Sequence, residues 1–263
     1  TAMFGTLLQG VELPASVLAG TAVPTFDNRS TVSRGYEFFI AETCEYRRHF
    51  LSFNPDRIVI TNIELEHTDY FTSLEDVRNA FVEYAGRLPS DGTIIYCADD
   101  DGATSVASHI ERTKRGITCV PYGTKAEGPF RVSGIAEGEG CIRFRMDLIP
   151  EELELRVPGE HNVLNAAASV ALLHSLVEKK TGSFGPVEAQ ACATGIRAFR
   201  GSRRRSQIVG ERDGILFVDD YGHHPTEIKA TLTGYKGFYP GRRIVLDFMP
   251  HLYSRTSDFF NDF

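Results

Sequence analysis

No stretch of these 263 residues approaches the roughly 20 consecutive apolar residues that a bilayer-crossing helix needs. The longest runs, such as Ile58 to Ile60 and Ala166 to Leu173, stop well short, so no membrane span is expected. The opening TAMFGTLLQG lacks the basic start, apolar centre and small-residue cleavage site of a signal peptide, and reads instead as a helix closed by Gly10. Five cysteines are scattered with no C-x-x-C pair, which argues against both a disulfide framework and a zinc ribbon. A reducing, cytoplasmic setting is the expectation. Positive charge is in deficit: 28 Lys and Arg against 35 Asp and Glu give a net charge of -7, which disfavours general nucleic-acid affinity. Neither H-x-x-x-H nor H-E-x-x-H occurs, which counts against a metal hydrolase built on His67, His223, His224 and His251. There is no internal repeat or low-complexity segment, and nothing that specifies an oligomeric state.

What is present is a 42% hydrophobic chain, long enough for two domains with real cores. YEFFIAE (36–42), DRIVITN (56–62), GTIIYC (92–97) and GITCVPYG (116–123) read as short buried strands. SLEDVRNAFVEYAGRL (73–88) places Leu74, Val77, Phe81 and Ala85 at helical spacing behind a Ser-x-x-Asp cap, and GATSVASHIERTKRG (102–116) is a second helix. That alternation predicts an α/β fold with a mostly parallel sheet flanked by helices. Residues 129–157 read as an antiparallel insertion, 160–180 and 186–199 as helices. A second α/β domain is expected to begin near residue 200, with the hairpin SQIVGERDGILFVDDYG, a helix from Pro225 and a strand at RRIVLDF (242–248).

In open parallel sheets ligands gather beyond the carboxyl ends of strands, so polar residues that directly follow apolar runs are the candidates. IAETCEYRRHF offers Glu42 and Glu45; VITNIELEHTDYF crowds Asn62, Glu64, Glu66, His67 and Asp69 behind a strand. Hard oxygen ligands with one imidazole suit Mg²⁺ or Mn²⁺ better than structural zinc. VDDYGHHPTEI sets Asp219, Asp220, Tyr221, His223 and His224 between a strand and a proline-started helix. PGEHNVLNAAA puts His161, Asn162 and Asn165 in a helix's first turn, where free N–H groups favour anions and an amide can meet an adenine edge. FRGSRRRSQ offers Arg203, Arg204 and Arg205 at the domain junction, where guanidinium groups can clamp phosphate. Each has a plainer reading as a cap, a solvated strand end or an exposed charge run.

Taken together, TNIELEH, GEHNVLNAAA, Phe199-x-Gly201-x-x-Arg204-Arg205, DDYGHHPTEI and PHLYSRT resemble the Mur ligases in order and spacing. The resemblance is to the branch that joins L-alanine to UDP-N-acetylmuramate, and it implies an ATP- and Mg²⁺-dependent amide-bond ligase of peptidoglycan synthesis. It also implies a central ATP-binding domain (1–199) and the start of a Rossmann-like C-terminal domain (200–263). Carried over residue by residue, Glu42 and His67 resemble the Mg²⁺ ligands, with Glu45 as the alternative, and Glu42, His67, His223 and Arg255 form the implied catalytic set. His161, Asn162, Asn165, Arg204, Asp220 and Tyr221 resemble nucleotide contacts, and Tyr221, His251 and Arg255 the residues facing alanine. Two departures stand out. The family's Gly-Lys-Thr phosphate loop is not found, so the chain is expected to be an internal segment inactive on its own, and Leu252 stands where this branch commonly has arginine. A related ligase with another amino-acid substrate and a non-catalytic nucleotide-binding module are the alternatives.

Overall fold

A computed structural model describes residues 1–138 and 140–263. The chain opens with helix α1 (Ala2–Leu7), whose Met3, Phe4 and Leu7 are buried, tightening into a 3₁₀ turn over Leu8–Gly10. Strand β1 (Ala15–Val23) follows; it pairs antiparallel with β2 (Arg29–Ser33) and parallel with β3 (Phe38–Ala41). The sequence pattern does not announce β1. Its alternating inward residues Ala15, Val17 and Ala19 are mostly too small to stand out, and Gly20 interrupts the run.

A distorted 3₁₀ segment (Tyr46–Ser52) leads to β4 (Arg57–Ile60), α2 (Leu74–Ala85), β5 (Thr93–Cys97), α3 (Asp101–Thr113) and β6 (Thr118–Tyr122). The strands form an all-parallel sheet in the order β4–β5–β6, as strands joined by helices should. Alternation assigns its two faces: Ile58, Ile60 and Ile94 join the cluster under α2 and α3, whereas Ile95, Cys97 and Tyr122 join the larger core. Ser73 caps α2 by accepting from the Asp76 N–H at 3.1 Å, as its spacing predicts.

The antiparallel insertion comprises β7 (Val132–Gly138), β8 (Cys141–Met146) and β9 (Ile149–Leu155). Helix α4 (Glu160–Thr181) runs through the main core with Ala166 to Leu173 all buried, and α5 (Pro186–Ala198) packs on it through α1. After residue 199 come the hairpin β10 (Gln207–Arg212) and β11 (Ile215–Asp219), then α6 (Pro225–Phe238) and the short α7 (Tyr253–Asp258). Asp213 and Gly214, at φ 54° and 77°, give the hairpin the left-handed turn that matches strand twist.

One expected element is absent among the described residues. RRIVLDF forms no strand, because a strand needs a neighbour and β10–β11 pair only with each other. Arg242 instead reaches the hairpin by its side chain, with Nη1 donating to the Gly214 carbonyl at 3.2 Å and Nη2 to Glu211 Oε1 at 3.1 Å.

Candidate functional site

Beyond the carboxyl end of β4 the chain runs from Thr61 to His67 without regular structure, and its polar groups line a cavity of about 280 Å³. Asn62, Glu64, Glu66 and Glu45 form one side; His224 and Glu227, from the start of α6, form the other. The cavity therefore lies between the α/β core and the segment after residue 199. His67 adopts a left-handed backbone, φ 55°, which costs a non-glycine residue on the order of 1 to 3 kcal/mol and is concentrated at functional positions. The turn is held: the His67 carbonyl accepts from the Tyr70 and Phe71 N–H groups at 2.7 and 2.9 Å. The imidazole stacks on Tyr46, ring centroids 4.5 Å apart, and its Nε2 lies 3.5 Å from Glu45 Oε1.

Glu42 and His67 were expected to end adjacent strands of one parallel sheet. They do not: β3 belongs to the β2–β1–β3 sheet and β4 to the other. β3 pairs with β1, a strand hidden by its small residues, so Glu42 extends that ladder through its N–H to the Leu18 carbonyl at 2.9 Å. Its carboxylate lies against Gly20, where a Cβ would come within 2.5 Å of Oε1. The carboxylate facing His67 is Glu45. Among the described residues no three His, Cys, Asp or Glu side chains gather as a closed metal cage. The donor set nevertheless fits Mg²⁺, which uses one or two carboxylates and completes its shell with water and phosphate.

From the C-terminal side, Tyr221, His223 and His251 come together. Ring centroids are 5.0 Å apart for Tyr221–His223, 6.0 Å for His223–His251 and 6.4 Å for Tyr221–His251. Arg204, at φ 57°, lays its guanidinium over the Tyr221 ring at 5.0 Å and pairs with Asp219 at 3.4 Å. Asp220 ties the turn together: Oδ2 accepts from the Ser206 N–H at 2.6 Å and Oδ1 from the Gly222 N–H at 2.7 Å. Oδ2 also accepts from Ser206 Oγ at 3.3 Å, so Oδ1 is the oxygen that retains a lone pair for a ligand hydroxyl.

The start of α4 borders the same region. Asn162 Nδ2 donates to the Pro158 carbonyl at 2.7 Å and lies 3.1 Å from His161 Nε2; Asn165 sits one turn on, half-buried on the same face. Gly159 precedes them at φ 93°, and a Cβ on Gly234 of α6 would come within 2.7 Å of the Gly159 Cα. Only glycine permits this approach, which brings α6 onto the mouth of α4. The charged neighbours that act on His161 are Asp220, Arg205 and Glu227.

Arg255 has a partner that the sequence reading did not give it. It is only 5% exposed, and its Nε and Nη2 donate to Glu66 Oε1 at 3.1 and 2.6 Å while Nη1 donates to the His251 carbonyl at 2.9 Å. Burial presses the Glu66 pKa upward, but the Arg255 hydrogen bonds, the His67 N–H and the Arg255 and His224 charges outweigh it and hold the carboxyl below the usual glutamate value. His224, 8% exposed, caps α6 by accepting from the Thr226 N–H at 3.3 Å, and its buried Nε2 has no partner among the described residues. Motif reading placed Glu66 in the polar crowd without a role. Only its partner, 189 residues away, reveals one.

The Mur ligase middle domain model matches residues 22–173, and that of the Mur ligase glutamate ligase domain matches 204–263. The chain belongs to the Mur ligase family. It is 45% identical over its whole length to the UDP-N-acetylmuramate--L-alanine ligase of Treponema pallidum (strain Nichols), covering 55% of that protein. It is 37% identical, again with 55% of the relative covered, to the enzyme of the same name from Borreliella afzelii (strain PKo). Among solved structures, UDP-N-acetylmuramate-alanine ligase MurC from Thermotoga maritima shares the fold, with a TM-score of 0.71 at 23% identity; 98% of this chain and 56% of that one are covered. The chain thus spans about half the length of the curated relatives it matches.

Proposed function

We propose that the chain is the nucleotide- and amino-acid-binding part of an ATP-dependent ligase that joins L-alanine to the carboxylate of UDP-N-acetylmuramate through an acyl phosphate, in the cytoplasm. The observation that carries this reading is the convergence of two distant polar sets on one interlobe cleft. Asn62, Glu64 and Glu66 come from the segment after β4 and Glu45 from the segment after β3; His224 and Glu227 come from the start of α6 on the opposite wall, and Arg255 of the last motif bonds to Glu66. On this reading the domain boundary falls at residues 199 and 200, and the Asp220-tied turn is the hinge.

Glu42, His67 and Glu45 are the groups to hold Mg²⁺, which when bound supplies charge neutralisation to the phosphates. Asn162 and Asn165, beside His161, present amide donors and acceptors to adenine. Asp220 offers the remaining lone pair of Oδ1 to a ribose hydroxyl, and Arg204 its guanidinium to the nucleotide's phosphates. Tyr221, His223 and His251 face the amino acid, and Arg255 supplies donors for its carboxylate. Closure of the C-terminal segment over β4 excludes water from a reaction whose activated carboxylate water would destroy.

The test is phosphate release and amide formation by the full-length protein with ATP, UDP-N-acetylmuramate and L-alanine. Release dependent on both co-substrates is expected, and its absence with L-alanine but presence with another amino acid would reassign the substrate. The 263-residue chain contains no Gly-Lys-Thr loop and is expected to show no release above background, since phosphoryl transfer depends on positioning and electrostatics that such a loop supplies.

A further inference from the structure

Arg255 is nearly buried, yet its guanidinium is not exhausted. Of its five N–H donors, two go to Glu66 Oε1 and one to the His251 carbonyl, which leaves one on each terminal nitrogen without an acceptor among the described residues. Glu66 lines the cavity, and Arg255 sits directly behind it, one hydrogen bond from the lining. Next in the same motif, Leu252 is 48% exposed and offers no donor. Any two-point grip on a carboxylate here has to come from Arg255, and a long side chain on a six-residue helix is a poor gripping tool unless something fixes it.

We propose that Glu66 is a positioning residue: by holding the Nε–Nη2 edge of Arg255, it presents the remaining two donors to the carboxylate of the incoming amino acid. The proposal rests on the ligase reading above for its substrate, but the ion pair is independent of it. A second contact joins the same two segments, with Thr68 Oγ1 donating to Asp258 Oδ2 at 2.7 Å. The His224 ring meets Phe259 edge-on at 4.8 Å. These fix α7; the guanidinium itself is held by the His251 carbonyl within its own segment and by Glu66 across the cleft, and the Glu66 contact is the one that ties its orientation to the cavity side.

Two measurements decide it. In the 263-residue chain, Glu66→Gln is expected to lower hydrogen-exchange protection of amides 251–259 by about tenfold, with Glu66→Asp intermediate. Unchanged protection in both variants overturns the proposal. In the full-length enzyme, Glu66→Gln is expected to raise the KM for L-alanine by at least about tenfold while kcat at saturation moves less than about threefold. A swapped pair, Glu66→Arg with Arg255→Glu, should restore protection of 251–259 but not the KM, because the two donors are gone. Restored KM in the swap, or an unmoved KM in Glu66→Gln beside a raised one in Arg255→Ala, refutes positioning. If the wild type shows no alanine dependence, the ligase reading fails, and the exchange experiment still decides whether Glu66 holds Arg255.

Discussion

Ile94 and Ile95 of β5 are fully buried, whereas Ile208, Val209, Ile215 and Phe217 of the β10–β11 hairpin are between 49% and 59% exposed. The first pair sits in a sheet covered on both faces, by α2 and α3 on one and α4 on the other. The second group lies on a two-stranded ribbon with no third strand, a unit that is marginal by itself. The core is therefore held by burial, and the C-terminal segment by an apolar anchor, Phe238 of α6 in the main core, with a few specific contacts beside it: Glu66 with Arg255, Thr68 with Asp258, and α6 against Gly159. On the proposed reading, the polar contacts of α7, rather than the Phe238 anchor, mark the end of the segment at which the cleft opens. A hydrophobic interface resists separation, while a few polar contacts can be exchanged for ligand contacts.

The sharpest way to break that contrast is a cavity in the core. Leu173 is completely buried in α4, and Leu173→Ala should destabilise the chain by about 2 to 5 kcal/mol, the usual range for a leucine lost from a packed interior. Urea unfolding gives the value. A loss under about 1 kcal/mol would mean that the core is no better packed than the hairpin, and the comparison would collapse.

Acid should act on the other region first. Because the Glu66 pKa is lowered in the folded state, the stability it lends to docking is fully present above its ordinary value of 4.5 and is lost as pH falls through the lowered folded value. Release of residues 251–259 is therefore expected below pH 4.5 and ahead of global unfolding, followed by NMR line shapes of α7. In Glu66→Gln this acid step should vanish. A release already complete above pH 4.5 would mean that Glu66 is not the group responsible.

How much of this could be read from the residues alone depended on range. β5 was plain because TIIYC is apolar after its first residue and rich in β-branched side chains, and α2 because Val77 and Ala85 recur behind a serine cap. That Tyr221, His223 and His251 share one side was implied by the family resemblance and not by any spacing, since no local period relates residue 221 to residue 251. β1 was missed because alanine and glycine leave little hydrophobic signal, and that omission put Glu42's strand in the wrong sheet. The partner of Arg255 was beyond reach, since no local period relates residue 66 to residue 255. RRIVLDF has the composition of a strand, but composition does not supply the neighbour that a strand requires.

A smaller effect is expected at Leu252, which caps α7 at φ 70° and whose carbonyl accepts from the Thr256 N–H at 3.2 Å. Leu252→Arg in the full-length enzyme adds a donor beside Arg255 without disturbing that cap. It should lower the KM for L-alanine, by no more than roughly 1.5 to 3 kcal/mol, the range for one charge-assisted hydrogen bond. Steady-state kinetics at varied L-alanine checks this. A raised KM would mean that position 252 faces an apolar part of the substrate, and the leucine would then mark a different amino acid.

The smallest effect is expected where the two regions differ most. Val245 lies in the middle of RRIVLDF and is 80% exposed, so replacing it with serine removes almost no buried area. Exposed substitutions away from caps, turns and ion pairs stay within about 0.5 kcal/mol, and Val245→Ser should do the same in the 263-residue chain. The urea midpoint compared with that of Leu173→Ala is the measurement. Valine is also a strong strand former and serine a weak one, so a paired strand here would add a propensity loss to the loss of burial. A destabilisation above about 1 kcal/mol would therefore show that 242–248 is both covered and laddered, and that the C-terminal segment has a sheet of its own.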